Sequence, residues 1–198
     1  MVEQEAFMYK EYFRSSAAKL KSTRYLALLA IFIAIKIILA SYYIPVSENL
    51  RISIRFIPVA IEALIFGPAA GMLSGAVTDI LGFLLFPNGA FFPGYTLSAV
   101  IQSLIYAFFL YRRQITVLRI TAAQILNNYI VNVTLGSLWS MALYSKGYLY
   151  YLTKSLIKNT ILLPAEILVL VILLNLFLPY LVKKNLALKQ DSSRIRLF

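Results

Sequence analysis

The chain has 198 residues, of which 61% are hydrophobic and 14% charged, and its 19 Lys and Arg residues against 8 Asp and Glu residues give a formal net charge of +11. The hydrophobic residues come in long runs that are typical of bilayer-spanning helices, and the length allows about six spans of ~20 residues with short loops. Because the chain contains no Cys and no His, disulfides, thiolate chemistry and His-based metal sites are excluded, and we expect no cofactor and no metal.

The same length limits what else the chain can do. Six spans leave no room for a soluble domain in these residues, and no GxxxxGK[ST] motif occurs, so energy for transport is expected from partners or gradients. Residues 1–20 are charged and mixed, and we expect no removable signal peptide there. The Lys and Arg content is typical of cytoplasmic loops in a membrane protein, and we expect no nucleic-acid partner.

Six hydrophobic segments predict an all-α membrane protein with six transmembrane helices. They divide the chain into an N-terminal segment 1–23, a six-helix substrate-binding domain 24–183 and a basic cytoplasmic tail 184–198. The first segment fits either an amphipathic helix at the inner membrane surface or a partly ordered tail. The predicted spans are Tyr25–Ile44, Ile52–Phe66, Ala69–Phe86, Tyr95–Tyr111, Ile120–Tyr144 and Leu156–Val182.

Basic residues predict the orientation of the bundle. With six spans, three basic groups fall on one side of the membrane, and the positive-inside rule makes that side cytoplasmic. Both termini are then cytoplasmic, and the connection between the third and fourth spans is outside. The three groups are Lys10, Arg14, Lys19, Lys21 and Arg24; Arg112, Arg113 and Arg119; and Lys183, Lys184, Lys189, Arg194 and Arg196.

Ionisable residues inside the spans need another explanation. A charge that faces lipid costs at least ~2.5–3.5 kcal/mol, so these groups should face one another or a wet cavity. One interpretation is internal ion pairs, such as Arg55 with Glu62 or Lys158 with Glu166. The other is an outward-open cavity whose surplus cations, aromatic walls and amides suit an anionic, aromatic ligand. The cations on the outer side are Lys36, Arg51, Arg55, Lys146, Lys154 and Lys158.

Two rows of small residues follow helical spacing and allow close helix approach. Each row serves either packing within the bundle or, if it lies on an outer face, docking of another membrane protein. The rows are Ala27, Ala30 and Ala34 in the first span, and Gly67, Gly71 and Gly75 at the start of the third.

The connection between the third and fourth spans carries the most specific pattern. Its run from Pro87 to Ala99 reads PNGAFFPGYTLSA and turns twice around an aromatic pair. With several other segments it resembles the folate-specific branch of the substrate-binding (S) components of energy-coupling factor (ECF) vitamin transporters. The other segments, within roughly residues 24–183, are Ala30-x-x-x-Ala34, Gly67 to Gly71, Asp79 to Gly82, Asn132 to Trp139 and Lys154 to Pro164.

The resemblance implies a multi-pass protein of a prokaryotic cytoplasmic membrane that is not an enzyme. Such a protein captures folate or a related pterin–glutamate vitamin with high affinity in an outward-facing cavity. It docks through Ala27, Ala30 and Ala34 on a transmembrane coupling protein that works with two ATPase subunits, and it topples in the membrane to release the vitamin. Lys154 stands where an Arg is expected, and Lys can neutralise a carboxylate but cannot make the bidentate fork.

The predicted folate contacts divide by chemistry. Asp79 or an Asn amide would read the amino-pyrimidinone edge of the pterin, and an aromatic side chain would stack on its face. Cations would bind the two carboxylates of the glutamyl tail. The predicted binding residues are Arg55, Asp79, Asn88, Phe92, Tyr95, Asn132, Trp139, Lys154 and Lys158.

Three alternatives remain open at this point. The first keeps the transporter class with riboflavin, thiamine or another heterocycle, although a positive cavity disfavours cationic thiamine. The second is a membrane-embedded enzyme with Glu62 and Glu166 as a carboxylate pair, although no His, Cys, HExxH or GxSxG supports it. The third is a scaffold, which leaves the buried outer cations unexplained.

Overall fold

The computed structural model describes residues 2–42, 44–47, 50–87, 89, 91–191 and 195–197, and for residues 2–9, 44–47 and 50–52 it describes the backbone alone. The described chain is mainly helical, with one short antiparallel hairpin between the second and third helices. The helices are α1 (Val2–Lys19), α2 (Thr23–Ser41), α3 (Phe56–Phe66), α4 (Pro68–Leu85), α5 (Pro93–Leu110), α6 (Val117–Leu126), α7 (Gly136–Leu143) and α8 (Tyr148–Lys183). A π-helical segment, Asn127–Leu135, joins α6 to α7, and the strands are β1 (Ile44–Ser47) and β2 (Leu50–Ile52).

Four of the described helices, α2, α4, α5 and α8, are long and apolar enough to cross a membrane. The shorter α3 is also apolar, and α6, the π-helical segment and α7 follow one another without a break. The predicted helical membrane architecture is therefore confirmed at this level.

The second predicted span starts too early. It was expected from Ile52, but Ile52 pairs with Ile44 in the hairpin, and the helix begins at Phe56. Pro58 lies in the first turn of α3, where a missing N–H costs no helical hydrogen bond.

Glycines allow α4 and α5 to pack closely. A Cβ atom at Gly75 would lie 2.8 Å from the carbonyl oxygen of Ala99 and 3.0 Å from Ser103 Oγ. At Gly71 it would lie 3.6 Å from the Ser103 side chain. Of the two alternatives for the glycine row, Gly71 and Gly75 fit packing within the bundle.

The end of the bundle where α3 ends and α5 ends is sealed by α1. Ser16 is fully buried, and its Oγ donates to the carbonyl oxygen of Phe66 (2.6 Å) and accepts from the N–H of Ala70 (3.1 Å). Tyr12 Oη donates to the carbonyl oxygen of Ala107, near the end of α5. These bonds satisfy backbone groups that helix ends leave unpaired. Segment 1–23 is thus a packed helix over Val2–Lys19 in the described backbone.

Lys19 completes this seal. Its Nζ donates to the carbonyl oxygen of Ile65 and lies 4.7 Å from the ring centroid of Tyr111. Burial, together with the positive charge of Arg112, lowers the pKa of Lys19 to about 8. Lys19, which the sequence places in a basic group on the cytoplasmic side, is therefore also part of the packing between helices.

The described part of the tail folds back against the same end. The N–H groups of Val117 and Leu118, in the first turn of α6, donate to the carbonyl oxygens of Arg196 (2.9 Å) and Leu197 (3.3 Å). The N–H of Ile195 donates to Asn175 Oδ1 at 2.9 Å. We call this end, formed by α1, the α3–α4 junction, residues 111–118 and the tail, the closed end.

A sealed ion pair lies in the core formed by the described residues. Lys36 Nζ lies 2.8 Å from Glu62 Oε2 and 2.8 Å from Ser74 Oγ, and both charged side chains are 1% exposed. Glu62 thus pairs with Lys36 of α2 instead of Arg55, the partner named in the sequence interpretation. The reason is tertiary, because α2 lies against both α3 and α4.

Candidate ligand-binding site

A cavity of about 1060 Å³ occupies the part of the bundle away from the closed end. It lies between α2, α4, α5, the α6–α7 segment and α8, with the residues around Pro87 and Phe91 at its side. This volume is at the upper end of the range for small-molecule sites. Its lining combines aromatic, amide and ionisable side chains.

Glu166, near the middle of α8, forms one side of a polar network. Its Oε2 accepts hydrogen bonds from Gln124 Nε2 (2.8 Å) and Asn128 Nδ2 (2.7 Å). Asn132 Nδ2 donates to Asn128 Oδ1 at 2.8 Å. Glu166, Gln124, Asn128 and Asn132 all line the cavity, and we call them the polar floor. Glu166 therefore bonds amides, and Lys158, the partner named in the sequence interpretation, is close enough to interact with it electrostatically.

The π-helical segment keeps the polar floor on one face. Cavity-lining residues recur every fourth position from Gln124 to Tyr144. In a continuous α-helix four residues turn by about 400°, which is ~40° more than a full turn. Side chains at every fourth position would therefore rotate away from the cavity by ~40° each time, and by about 200° over five such intervals. A π-helix has more residues per turn, so four residues make less than a full turn and the same spacing rotates side chains in the opposite direction. The nine π-helical residues thus bring Asn128, Asn132 and Gly136 back towards the cavity.

Positive charge lies along the first turns of α8. Tyr150 stands between two lysines, with Lys146 Nζ 4.4 Å and Lys154 Nζ 4.5 Å from its ring centroid. Lys158 lies one turn further along the helix, and all four residues line the cavity. Lys146 and Lys154 are exposed and Lys158 is half-buried, so the charge extends from the surface inwards. We call Lys146, Lys154 and Lys158 the cationic mouth.

A pair of opposite charges lines the cavity wall that is formed by the start of α3 and by α4. Arg55 and Asp79 both line the cavity and are close enough to interact electrostatically. Asp79 Oδ2 also accepts a hydrogen bond from Thr96 Oγ1 of α5 at 2.7 Å. Asp79 therefore has a donor within the protein as well as a cation nearby.

Aromatic rings form the wall between α5 and α7. The ring centroid of Phe92 lies 5.5 Å from that of Trp139 and 6.2 Å from that of Tyr95. Trp139 Nε1 donates to Ser98 Oγ at 2.9 Å. A Cβ atom at Gly94 would lie 2.4 Å from the Phe92 ring and 2.6 Å from the Trp139 ring, so a larger residue would displace both.

Most of the predicted binding residues come together at this cavity. Trp139 is not among its lining residues and instead packs behind Phe92. Asn88 lies outside the described residues. The predicted residues that line the cavity are Arg55, Asp79, Phe92, Tyr95, Asn132, Lys154 and Lys158.

Sequence reasoning missed Glu166 and Gln124 as parts of the site. Glu166 was assigned to an ion pair or an enzyme-like carboxylate pair, and Gln124 was given no role. The signal that could have found them is the spacing of four between Gln124, Asn128 and Asn132, which marks one polar face opposite the Glu166 helix.

The alanine row lies on an unpacked face of α2. Ala27, Ala30 and Ala34 are all exposed, and large apolar residues beside them are exposed as well, including Ile31 (55%) and Ile35 (39%). In contrast to Gly71 and Gly75, these alanines make no close packing within the described bundle. The face is available to lipid or to a partner.

Comparison with known proteins is decisive for the family. The model of the family described as "ECF transporter, substrate-specific component" matches residues 24–182. The chain belongs to this family. It is therefore a membrane transport component and not an enzyme, as the resemblance implied. The matched range leaves out α1 and the tail.

Relatives of this S component bear out the predicted branch. It is 32% identical over 151 residues to the folate transporter FolT of Clostridium novyi (strain NT), covering 76% of this chain and 88% of the relative. It is also 32% identical over 160 residues to the folate transporter FolT of Leuconostoc mesenteroides subsp. mesenteroides, covering 77% of this chain and 85% of the relative.

A solved structure is also similar to this S component. The crystal structure of FolT bound with folic acid matches with a TM-score of 0.71 and 28% identity, over 85% of this chain and 96% of that chain. The predicted resemblance to the folate-specific branch is thereby confirmed.

Proposed function

We propose that this S component captures folate, or a related pterin–glutamate vitamin, from outside a prokaryotic cytoplasmic membrane for ATP-driven import. The observation that carries the proposal is the cavity of about 1060 Å³, whose polar floor, aromatic wall and cationic mouth belong to one continuous lining. Folate has a flat heteroaromatic end and an end with two carboxylates. The cavity offers groups suited to both.

The predicted roles follow from this arrangement. Phe92 and Tyr95 supply ring faces for the heterocycle. Lys154 and Lys158 supply cations for the carboxylates, and Arg55 supplies a third from the opposite wall. Trp139 acts through Phe92, which it supports from behind.

Six spans fit the described helices. We take them as α2, α3, α4, α5, the α6–α7 segment and α8. The closed end carries α1, the tail and residues 111–118, and these segments together with the flanking Lys21, Arg24, Arg119 and Lys183 hold 13 of the 19 Lys and Arg residues. The positive-inside rule makes that end cytoplasmic. The cavity then opens to the outside, and the protein is multi-pass with both termini inside.

Coupling is proposed to occur through the exposed face of α2. Small side chains allow a partner helix to approach the backbone closely, so Ala27, Ala30 and Ala34 would contact the transmembrane coupling protein that works with two ATPase subunits. Replacing Ala30 by Leu should reduce copurification of the coupling protein and leave ligand binding unchanged. Ala165→Leu, on an exposed position of α8, is the matched control. Equal copurification of both variants would contradict this docking face.

Binding of folate can be measured directly on the purified protein. Ligand beside Phe92 should change the fluorescence of Trp139, the single tryptophan of the chain, and calorimetry gives an independent affinity. Tight binding of folic acid or a reduced folate without metal or nucleotide is expected. Absence of heat and of fluorescence change with both vitamins would reject the proposed function.

Competition separates folate from other vitamins. Riboflavin and thiamine should fail to displace bound folate at equal concentration. Displacement by riboflavin would favour the alternative that keeps the transporter class and changes the ligand.

A further inference from the structure

The orientation of the Glu166 carboxylate is set by two chains of hydrogen bonds. On one side, Tyr106 Oη donates to Gln124 Oε1 at 2.5 Å. This bond uses the amide oxygen as acceptor, so Gln124 Nε2 points to Glu166 Oε2. Tyr106 and Gln124 are each 1% exposed, so packing holds both side chains in place.

The second chain reaches the same oxygen from the other side. Asn132 Nδ2 donates to Asn128 Oδ1, and Asn128 Nδ2 then donates to Glu166 Oε2. Both amides thus present donors to one carboxylate oxygen. Both bonds use Oε2, and a carboxylate has about four acceptor positions over its two oxygens, so it can accept further donors.

The donors to Glu166 are neutral amides. They orient the carboxylate, and the ammonium of Lys158 is close enough to interact with it electrostatically. Glu62, by comparison, has its charge compensated by Lys36 at 2.8 Å. Since Glu166 lines the cavity, its carboxylate is a preorganised, negatively charged acceptor on the polar floor.

The positions of Glu166 and of the two lysines along α8 make the two ends of the cavity chemically different. Lys158 precedes Glu166 by eight residues and Lys154 by twelve, which correspond to about 12 Å and 18 Å along the helix axis. A carboxylate on the ligand would be repelled at Glu166 and attracted at the lysines. The cavity therefore has an acceptor end at Glu166 and a cationic end that runs from Lys158, which is close enough to Glu166 to interact with it electrostatically, to Lys154 at the surface.

We propose that Glu166 is a specificity-determining residue that reads paired N–H donors on the heterocycle, with the carboxylate tail directed towards Lys154 and Lys158. In a 2-amino-4-oxopteridine the ring N–H and the exocyclic amino group lie side by side, and they match a carboxylate edge. This assignment rests on the proposed function. It gives Glu166 the role that the sequence interpretation gave to Asp79, which already accepts a hydrogen bond from Thr96.

The test pairs one substitution with one change in the ligand. Full-length protein in detergent is titrated with folic acid and with the analogue in which a methyl group replaces the 2-amino group. The wild-type protein should prefer folic acid by about 10- to 150-fold, the range for a hydrogen bond to a charged group. In Glu166→Gln that preference should fall to within about threefold, because the carboxylate acceptor is lost.

Lys154→Ala is the matched control at the other end of the cavity. It should weaken both ligands by the same factor and keep the wild-type preference. If Glu166→Gln also weakens both ligands equally, Glu166 does not read the 2-amino group and the inference is overturned. If the variant does not fold, as judged by size-exclusion chromatography and thermal melting, the affinities of the wild-type protein for the two ligands still test the inference. Equal affinity of the wild type for the two ligands overturns the inference.

The inference and the proposed function fail in different ways. Tight binding of folic acid by the wild type with no loss of preference in Glu166→Gln removes the assignment of Glu166 and leaves the function standing. No binding of folic acid by the wild type removes both.

Discussion

Glu62 and Glu166 are two carboxylates near the middle of the bundle, and they are held in opposite ways. Glu62 is 1% exposed and lies 2.8 Å from the ammonium of Lys36. Glu166 is held by two neutral amides and lines an open cavity. A compensated charge sealed from solvent contributes to the fold alone. The Glu166 carboxylate, which is oriented by amides, faces the cavity and has Lys158 within electrostatic range, is available to a ligand.

The largest expected effect is on the sealed pair. Lys36→Met leaves Glu62 buried without its cation, and breaking a buried pair in this way typically costs about 3–5 kcal/mol of stability. Denaturation in detergent micelles should show this loss, and protein that remains folded should still bind folate.

The double variant Lys36→Met with Glu62→Leu is the control. Removal of both charges should restore much of the lost stability, because no unpaired charge stays buried. A single Lys36→Met variant as stable as the wild type would show that Glu62 needs no partner, and the contrast with Glu166 would disappear.

A smaller effect is expected at the closed end. Ser16→Ala leaves the Phe66 carbonyl and the Ala70 N–H without their side-chain partner, and unsatisfied buried groups of this kind cost about 1–3 kcal/mol. Thermal melting should register the loss, with Ser41→Ala as control, since Ser41 is exposed and its Oγ donates to the carbonyl oxygen of Ile38 in its own helix. Equal melting of the two variants would mean that Ser16 does not join α3 to α4.

The low pKa of Lys19 predicts that the free energy of unfolding changes with pH by about 1–2 kcal/mol, after allowance for the partial exposure of the side chain. Its pKa is about 8 in the folded protein and about 10.5 in the unfolded chain. Between these values the unfolded state binds more protons, so stability should rise as the pH increases from about 8 to 10.5. Lys19→Met should lack this component. A wild-type melting temperature that falls as steeply as that of Lys19→Met over this interval would contradict the burial of Lys19.

The smallest effect on stability is expected for Glu166→Gln. Gln has nearly the same size, and its amide oxygen can still accept from Gln124 and Asn128, so the change should stay within about 1 kcal/mol. Chemical denaturation compares it directly with Lys36→Met. A loss as large as that of Lys36→Met would mean that Glu166, like Glu62, serves the fold.

Much of the architecture could be predicted because hydropathy and turn residues are local signals. Gly67, Pro68, Pro93 and Gly94 lie at or beside the predicted helix boundaries, and α4 and α5 begin within two residues of the predicted positions. The start of α8 was placed eight residues too late. Its first two turns carry Tyr and Lys residues that lower hydropathy but do not disfavour a helix.

The site was predicted in part, for a physical reason. Arg55, Asp79 and Lys158 stand out because a charge in an apolar span is costly wherever it lies. The partners of Glu62 and Glu166 depend on which helices are neighbours, and single-sequence reasoning does not fix that. The π-helical turn, which brings Asn128 and Asn132 to the cavity, also has no local sequence signal that we could identify.

The hydrogen bonds of Ser16 and Tyr12 also constrain the order of assembly. Translation produces α1 first, yet its partners are the carbonyl oxygens of Phe66 and Ala107 and the N–H of Ala70. The Ser16 bonds can form only after α3 and the start of α4 have been synthesised, and the Tyr12 bond only after α5. The first helix made therefore completes its docking only when the first four hydrophobic helices are present.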